Sequence, residues 1–526
     1  MNPDSPDFKR LFLAVFLMTA LLMTYNAFFG GKPKPAIPQT AVQPAPIAPT
    51  ASEPSPALKA ENFNTPIITR ELSKNLPESV AIRGGYQVLF SSEGAQIQKF
   101  SLLGYEQPIE LSPGFKVESR DTHLTLSSKT RYELVSADLT SLVFQKITPE
   151  NIRVIHRYQL TDKAFVVRHE VELKNQSNRP QTLSVNLLMQ TSESPEHNED
   201  QLAAAWHVED KHQRFSLSDL EKEPESISQA PKYVSFDRRY FVMTLAPETP
   251  AQLAGAQAKF FKSASQKSLQ IKLEAKTVQL MPGNSQTLAF SSYLGPKQLE
   301  LLQVAGHGIE ENIDYGWFGV LSRPLLWLLV YIFHWVHNFG IAIILLTVLI
   351  KLLTFPLTQK SFASQQEMKK IQPEIKELQK KYSHDKAMLG QKQMAFYKEK
   401  GINPMAGCLP MLIQMPVWFA LYQMLGNSVE LYEQPFYGWI VDLTRPDPYY
   451  VFPVLMGLSM LISQWVIPPT IDDSQPQMKY VMWFMPVFLT FIMLSLPAGL
   501  SLYMLVNNLL TIAQQVYVRQ RSGASL

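Results

Sequence analysis

One apolar run constrains this chain more than any other stretch: Phe339 to Pro356, reading FGIAIILLTVLIKLLTFP, with a single charge at Lys351. A run of this kind crosses a membrane as a helix, because a helix satisfies its own backbone polar groups in hydrocarbon. Counted from Phe339 at ~1.5 Å per residue, the Lys351 ammonium lies roughly 18 Å along, past the middle of a core about 30 Å thick. A cation at that depth costs about 2.5–3.5 kcal/mol on insertion scales. Two readings follow. Lys351 snorkels to the nearer interface on its four-carbon stem, or it stands at the wall of a water-filled recess inside the membrane. Its depth favours the recess, since interfacial lysines sit within a turn of a helix end. Thr347, four residues earlier, shares its helical face.

The remaining chain must supply the other walls. Its 526 residues have a mean hydropathy of −0.06, which averages a polar half with an apolar half. A net charge of +3 does not announce nucleic acid, and one cysteine, Cys408, excludes a disulfide framework and a cysteine-based metal site. The histidines are scattered, with His207 and His212 the closest pair outside the apolar half. No phosphate-binding GxxxxGK[ST] loop is present. No catalytic residue, metal or cofactor is expected.

Taken in order, Lys9 and Arg10 precede an apolar run from Leu11 to Phe29 without a small-residue cleavage site, which reads as an uncleaved anchor at 1–29. Residues 30–57 contain eight prolines and form a tether. From 58 to 296 the texture is β-sheet: Phe165, Val167, Val171 and Leu173 alternate with polar residues, Asn175–Pro180 reads as a turn, and Pro282-Gly283-Asn284 precedes a strand over Thr287–Tyr293. A large β-sandwich acting as scaffold is expected there. Within the connector 297–338, Gln298–Val304 reads as a short helix. The twelve residues between Pro324 and His337, rich in Trp and Tyr, are too short to span and suit an interfacial helix.

After the span 339–358 comes a segment, 359–404, with ten lysines against five acids, which marks the cytoplasmic side. Met368, Ile371, Ile375, Leu378 and Tyr382 repeat at a 3-4-3-4 spacing, a coiled-coil seam. Pro373 fits a first helical turn, and Ser383-His384-Asp385 breaks the pattern and caps a second helix ending near Gly401. The product is a helical hairpin, whose lysines are either a solvated face or a contact for a ribosome or anionic lipid. Four further spans occupy 405–518: Cys408–Gly426, Val451–Ile467, Tyr480–Leu496 and Leu500–Val518. The acidic loop Asn427–Tyr450 falls outside, and the tail 519–526 falls inside. The expected class is therefore an α-helical six-span membrane protein with a large β-sandwich domain and both termini cytoplasmic.

The spans carry polar residues at helical spacing. Tyr503, Asn507, Thr511 and Gln514 form a stripe on the last span, and Gln414 and Tyr422 lie two turns apart on the third. Any one of them is explained by a hydrogen bond between helices. Together with Lys351, a shared wet groove explains more. Fourteen of the twenty methionines fall after residue 359, which suits surfaces that accept many apolar partners and also suits ordinary core packing.

The runs TVLIKLLTFPLT (Thr347–Thr358) and KEKGINPMAGCLPMLIQMPVWFALY (Lys398–Tyr422), with NSVELYEQPF, FMPVF and LPAGLSLYMLVNNL after them, resemble the YidC-type membrane protein insertases. The likeness extends over essentially the whole chain, and the large external domain is similar to the Gram-negative form, a β-supersandwich in the periplasm. The resemblance implies insertion and folding of inner-membrane proteins without ATP, alone or with the Sec translocon, through a hydrophilic groove. It implies nascent membrane proteins as substrates, with the ribosome, signal recognition machinery and membrane lipids as further partners. The family's positive groove residue corresponds to Lys351 and its threonine to Thr347. Here the cation is Lys where Arg is common, and paired tyrosines of the last span appear as Tyr503-Met504. Two other readings stay open: a secondary transporter binding an anionic solute at Lys351, disfavoured by the absence of an internal repeat, and a sugar-processing enzyme on an anchor, which leaves the spans unexplained.

Overall fold

In a computed structural model the chain folds as two compact units. The structure describes residues 67–69, 78–83 and 85–521, apart from 106–107, 120–125, 128, 139, 193–201, 264–265, 383, 402–408 and 467–475. The expected anchor Leu11–Phe29, the tether, Ser383, Cys408, residues 468–475 of the loop before the fifth span and the tail beyond 521 lie outside the described residues.

The first unit holds the described residues up to Asp314, with Asn427–Glu430. Its centre is a nine-stranded antiparallel sheet in the order Lys211–Ser216, Ala203–Val208, Tyr233–Asp237, Phe241–Pro247, Ser285–Pro296, Val166–Asn175, Ile152–Leu160, Ser141–Ile147 and Glu133–Ala137. Two five-stranded sheets accompany it, one from Ile67–Thr69 to Ile109–Leu111 and one containing Lys116–Ser119, Val185–Ser192, Leu253–Ser263 and Gln266–Ala275. The period of two is plain in Val166–Asn175: Val167, His169, Val171, Leu173 and Asn175 face in, while Arg168, Glu170, Glu172 and Lys174 lie at the surface. At the turn after this strand, the Asn175 side chain accepts from Ser177 N at 2.9 Å and donates to Arg179 O at 2.8 Å, a side-chain mimic of a backbone turn. The later turn has Gly283 at φ +83°, a conformation that glycine takes without strain.

Aromatic rings fill the space between the sheets. Tyr158 stacks on His169 at 4.1 Å, Phe90 meets Tyr158 at 5.0 Å and Phe115 meets His169 at 4.4 Å. His156 and His169 are fully buried neighbours, Nδ1 to Nε2 3.1 Å apart. Burial holds the His156 pKa down at about 3 and pushes that of His169 well below its ordinary value, so both imidazoles are neutral at pH 7. His207 and His212 are cross-strand partners with separate roles: His207 Nδ1 lies 2.9 Å from Glu311 and His212 Nδ1 lies 3.0 Å from the Tyr233 hydroxyl. Lys297, which begins the connector, is buried against Asp237 at 2.9 Å and also donates to Asn312 O at 3.3 Å.

The second unit is helical, built from Tyr315–Gly426 and the residues from Leu431 onward. We label the helices α1 (Leu299–Ala305, in the first unit), α2 (Gly319–Val336), α3 (Phe339–Lys381), α4 (Lys386–Glu399), α5 (Leu409–Asn427), α6 (Val451–Val466), α7 (Pro476–Met493) and α8 (Ala498–Arg521). Two sequence expectations are corrected. α2 is 18 residues long and apolar enough to cross a membrane by length and composition, rather than twelve residues and too short. It gains its first turns because Ser322, inside the helix, donates to Phe318 O and to Ala420 O, both at 3.1 Å, fixing that end against α5. The second correction is Pro373, which lies inside α3 instead of opening a new helix. The span and the first arm of the hairpin are one helix of 43 residues, about 65 Å long. Between Thr358 and Lys381 no glycine or asparagine stops it, and burial of Ile371 and Ile375 on either side of Pro373 offsets the one backbone bond lost there.

The ends of α3 and α4 follow local chemistry. Asn338 caps α3 by accepting from Ile341 N at 3.0 Å, and Asp385 caps α4 by accepting from Met388 N at 2.9 Å; such caps are worth ~1 kcal/mol each. Gly401, at φ +65°, follows the end of α4. The hairpin is pinned by Lys400 to Glu374 at 2.8 Å, beside the buried pair Ile371 and Ile375.

Candidate functional site

α3 carries a polar stripe, Thr347, Lys351, Thr354 and Thr358, at a 4-3-4 spacing that keeps all four on one face. Each threonine hydroxyl bonds a carbonyl one turn back: Thr347 to Ile343 O at 2.6 Å, Thr354 to Ile350 O at 2.9 Å and Thr358 to Thr354 O at 2.8 Å. A hydroxyl so engaged can sit in an apolar setting at little cost. Lys351 has no such local acceptor for its ammonium, and α8 provides one.

The α8 stripe faces α3. Lys351 Nζ donates to Asn507 Oδ1 at 3.2 Å and to Thr511 Oγ1 at 2.8 Å. Gln414, from α5, donates to the Tyr503 hydroxyl at 2.6 Å and reaches Asn507 Oδ1 at 3.4 Å. Gln514, two turns below Asn507, donates to Thr358 Oγ1 at 2.9 Å and to Phe355 O at 3.4 Å. Three helices thus meet through one continuous set of polar side chains. Close approach of α8 is allowed by Gly499, whose missing side chain would stand 3.3 Å from Ile343 and from Leu443 O.

The cluster is unusual in its electrostatics. Lys351 is 9% exposed, and among the described residues its hydrogen-bond partners are neutral oxygens. Neither α2, α5, α6, α7 nor α8 contains an Asp or Glu, and α3 has none before Glu367. Several polar atoms of α5 and α8 are also buried without a protein partner, among them Trp418 Nε1, Ser501 Oγ, Gln514 Oε1 and Gln515 Oε1. In a dry interior each would cost roughly 1–3 kcal/mol.

Of the eight residues singled out from sequence, six form the cluster: Lys351, Tyr503, Asn507, Thr511, Gln514 and Gln414. Thr347 is buried one turn away and bonds within its own helix. Tyr422 stands apart, 37% exposed with its ring beside Trp418 at 6.2 Å. Sequence reasoning missed Thr358, although its place in the 4-3-4 stripe of α3 is the same kind of signal as the stripe found on α8. It also missed Ser459, which accepts from Asn508 at 3.3 Å and ties α6 to α8.

The comparisons with known proteins bear on both units. Residues 331–524 match the family model described as 60Kd inner membrane protein, and residues 84–328 match that of the YidC periplasmic domain. A membrane protein insertase YidC of Syntrophus aciditrophicus is 32% identical, over 98% of this chain and 100% of its own length. That of Geotalea uraniireducens is also 32% identical, over 97% of this chain and 99% of its own. Among solved structures, an active YidC insertase with its first transmembrane domain resolved is 19% identical, covering 86% of this chain and 94% of that chain with a TM-score of 0.37.

Proposed function

The chain belongs to the family of YidC membrane protein insertases, inner-membrane proteins with a periplasmic domain, and on that premise we propose that its working site is the polar cluster around Lys351. The family sets aside the transporter and the sugar-processing enzyme as readings of this chain. The observation that carries the proposal is a buried cation held by neutral oxygens, on helices that also carry buried polar atoms lacking protein partners. Such a group of side chains is stable when water shares the site, and a wet recess reaching into the hydrocarbon shortens the oily path for a polar segment.

The mechanism is differential solvation. A nascent segment brings its polar, often acidic, flanking tail into the recess, where water and Lys351 replace part of the hydration it loses. Its apolar part then leaves between α5 and α7 for the lipid, driven by about 25 cal/mol per Å² of apolar surface removed from water. For an acidic tail moving outward, the membrane potential adds up to ~2.3 kcal/mol per charge per 100 mV. No step calls for nucleotide hydrolysis.

In this reading the chain crosses the membrane six times with both ends in the cytoplasm. α2 lies at the interface: Trp327, Tyr331 and Trp335, at successive turns, are all exposed and line one face at headgroup level, the first two stacked and the last two edge to face. The lysine-rich hairpin of α3 and α4 faces the cytoplasm, where it meets the ribosome, signal recognition machinery or anionic lipid, and the helical unit works alone or with the Sec translocon. The test is site-specific crosslinking to a stalled nascent chain from probes at Gln414 and at Leu353, which is 73% exposed away from the cluster. Early intermediates should crosslink from Gln414 before they crosslink from Leu353. Crosslinking first from Leu353, or never from Gln414, would remove the cluster from the path.

A further inference from the structure

The acceptors that hold Lys351 share a property that its charge alone does not require. Asn507 Oδ1 accepts from Lys351 and, at 3.4 Å, from Gln414. The Thr511 hydroxyl accepts from Lys351 at 2.8 Å and donates to Asn507 O at 2.6 Å. Each acceptor therefore keeps a second hydrogen bond when the ammonium moves away. Gln414 in turn keeps the Tyr503 hydroxyl at 2.6 Å. Release of Lys351 leaves no new unpaired atom on α5 or α8, so the ammonium can be handed over without the usual penalty for a broken buried bond. The lysine side chain itself is long and rotatable, with three donors, two of which are used here.

We propose that Asn507 is a positioning residue that sets the site's preference for carboxylate-bearing segments, holding the Lys351 ammonium on a neutral oxygen that an incoming carboxylate displaces. This rests on the reading of the Lys351 cluster as the substrate site. A carboxylate on the protein at the same place would pair with Lys351 permanently, because an ion-assisted hydrogen bond is roughly twice as strong as a neutral one. The cation would then be spent internally and unavailable to substrate. An amide holds the ammonium in position and leaves its charge uncompensated. The complete lack of Asp and Glu in α5 to α8 fits a site kept free of internal counter-ions.

The test is insertion of one reporter carrying zero, one or two aspartates in its translocated tail, by the full-length protein in anionic-lipid vesicles, per amount of folded insertase. The wild type and Asn507→Ser, which keeps a short neutral acceptor, should insert the two-aspartate tail better than the neutral tail, by on the order of tenfold. Asn507→Asp and Thr511→Asp should both lose that grading, inserting acidic and neutral tails at a single rate. Retained grading in Asn507→Asp overturns the proposal, and so does an equal loss for neutral and acidic tails, which is what a purely structural role gives. Failure of both aspartate variants to fold also overturns it, since a carboxylate paired with Lys351 should be tolerated there. A flat response in the wild type and in Lys351→Ala alike would instead refute the role of Lys351 as the substrate's partner.

Discussion

At the scale of single residues, the proposed mechanism turns on one ammonium. Lys351→Arg should retain insertion, because both side chains stay cationic and reach the acceptors of α8. Lys351→Ala should impair acidic-tailed substrates more than neutral-tailed ones, and Lys351→Glu should be worse than Ala through repulsion. The Coulombic effect is modest, roughly 1–4 kcal/mol for a pair at 4 Å between the water and near-surface limits, so the loss should grow with tail charge. Insertion rates for a neutral and a two-aspartate reporter in each variant check this, and an unaltered Lys351→Ala would return the lysine to a snorkelling role. A second residue-scale effect belongs to His156 and His169. Their folded-state pKa values lie below the ordinary 6.5, so the folded protein binds fewer protons than the unfolded chain in acid. The stability that neutral, buried imidazoles contribute to the β unit is then fully present above about pH 6.5 and is lost as pH falls, for His156 towards about 3. Acid unfolding of the full chain in detergent, followed by far-UV circular dichroism, should be less steep in His156→Gln. An unchanged pH dependence would show that other groups set it.

At the scale of elements, the long helix α3, continuous through Pro356 and Pro373, links the cluster to the hairpin. Lys351 and the buried pair Ile371 and Ile375 ride on the same 43-residue rod, so a force on the hairpin acts on the helix that carries the cation. Replacing both Ile371 and Ile375 with Asp should separate α4 from α3, since two carboxylates would replace the apolar contact that joins the arms. Insertion should fall several-fold while the helical unit stays folded, as judged by its thermal transition in detergent. Full activity in that variant would make the hairpin dispensable. The same rod explains how α2 and α8 are arranged, because both pack along α3, with Gly499 the small residue at the close approach of α8.

At the scale of the whole molecule, topology decides what the groove can do. With Cys408 replaced, a cysteine at His384, in the hairpin turn, should be protected from membrane-impermeant maleimide applied to intact cells. A cysteine at Tyr437, exposed in the acidic loop between α5 and α6, should be labelled. The opposite pattern would place the hairpin outside and reverse the direction in which Lys351 receives substrate. The lysine excess of 359–404 and the acids of Asn427–Tyr450 are the basis of the proposed orientation, since positive loops are retained in the cytoplasm.

Much of this was already legible in the residues. The period-two alternation around Val171, the turn residues at Asn175 and Gly283, the cap at Asp385 and the polar spacing on α8 are local signals, and local backbone preference decides them. Family membership was legible too, because long motifs such as NPMAGCLPMLIQMP are set by many residues at once. What the sequence left undecided were continuity and partnership. Whether Pro373 starts a helix or sits within one depends on the buried contacts of Ile371 and Ile375, which lie across the hairpin. That His156 and His169 share a core site, and that Tyr422 stands outside the cluster while Thr358 stands inside it, depend on which helices and strands are adjacent. Spacing fixes the face of its own element on which a side chain lies; only tertiary packing fixes what that face meets, because the partner of Lys351 is 156 residues away in the chain and 3.2 Å away in space.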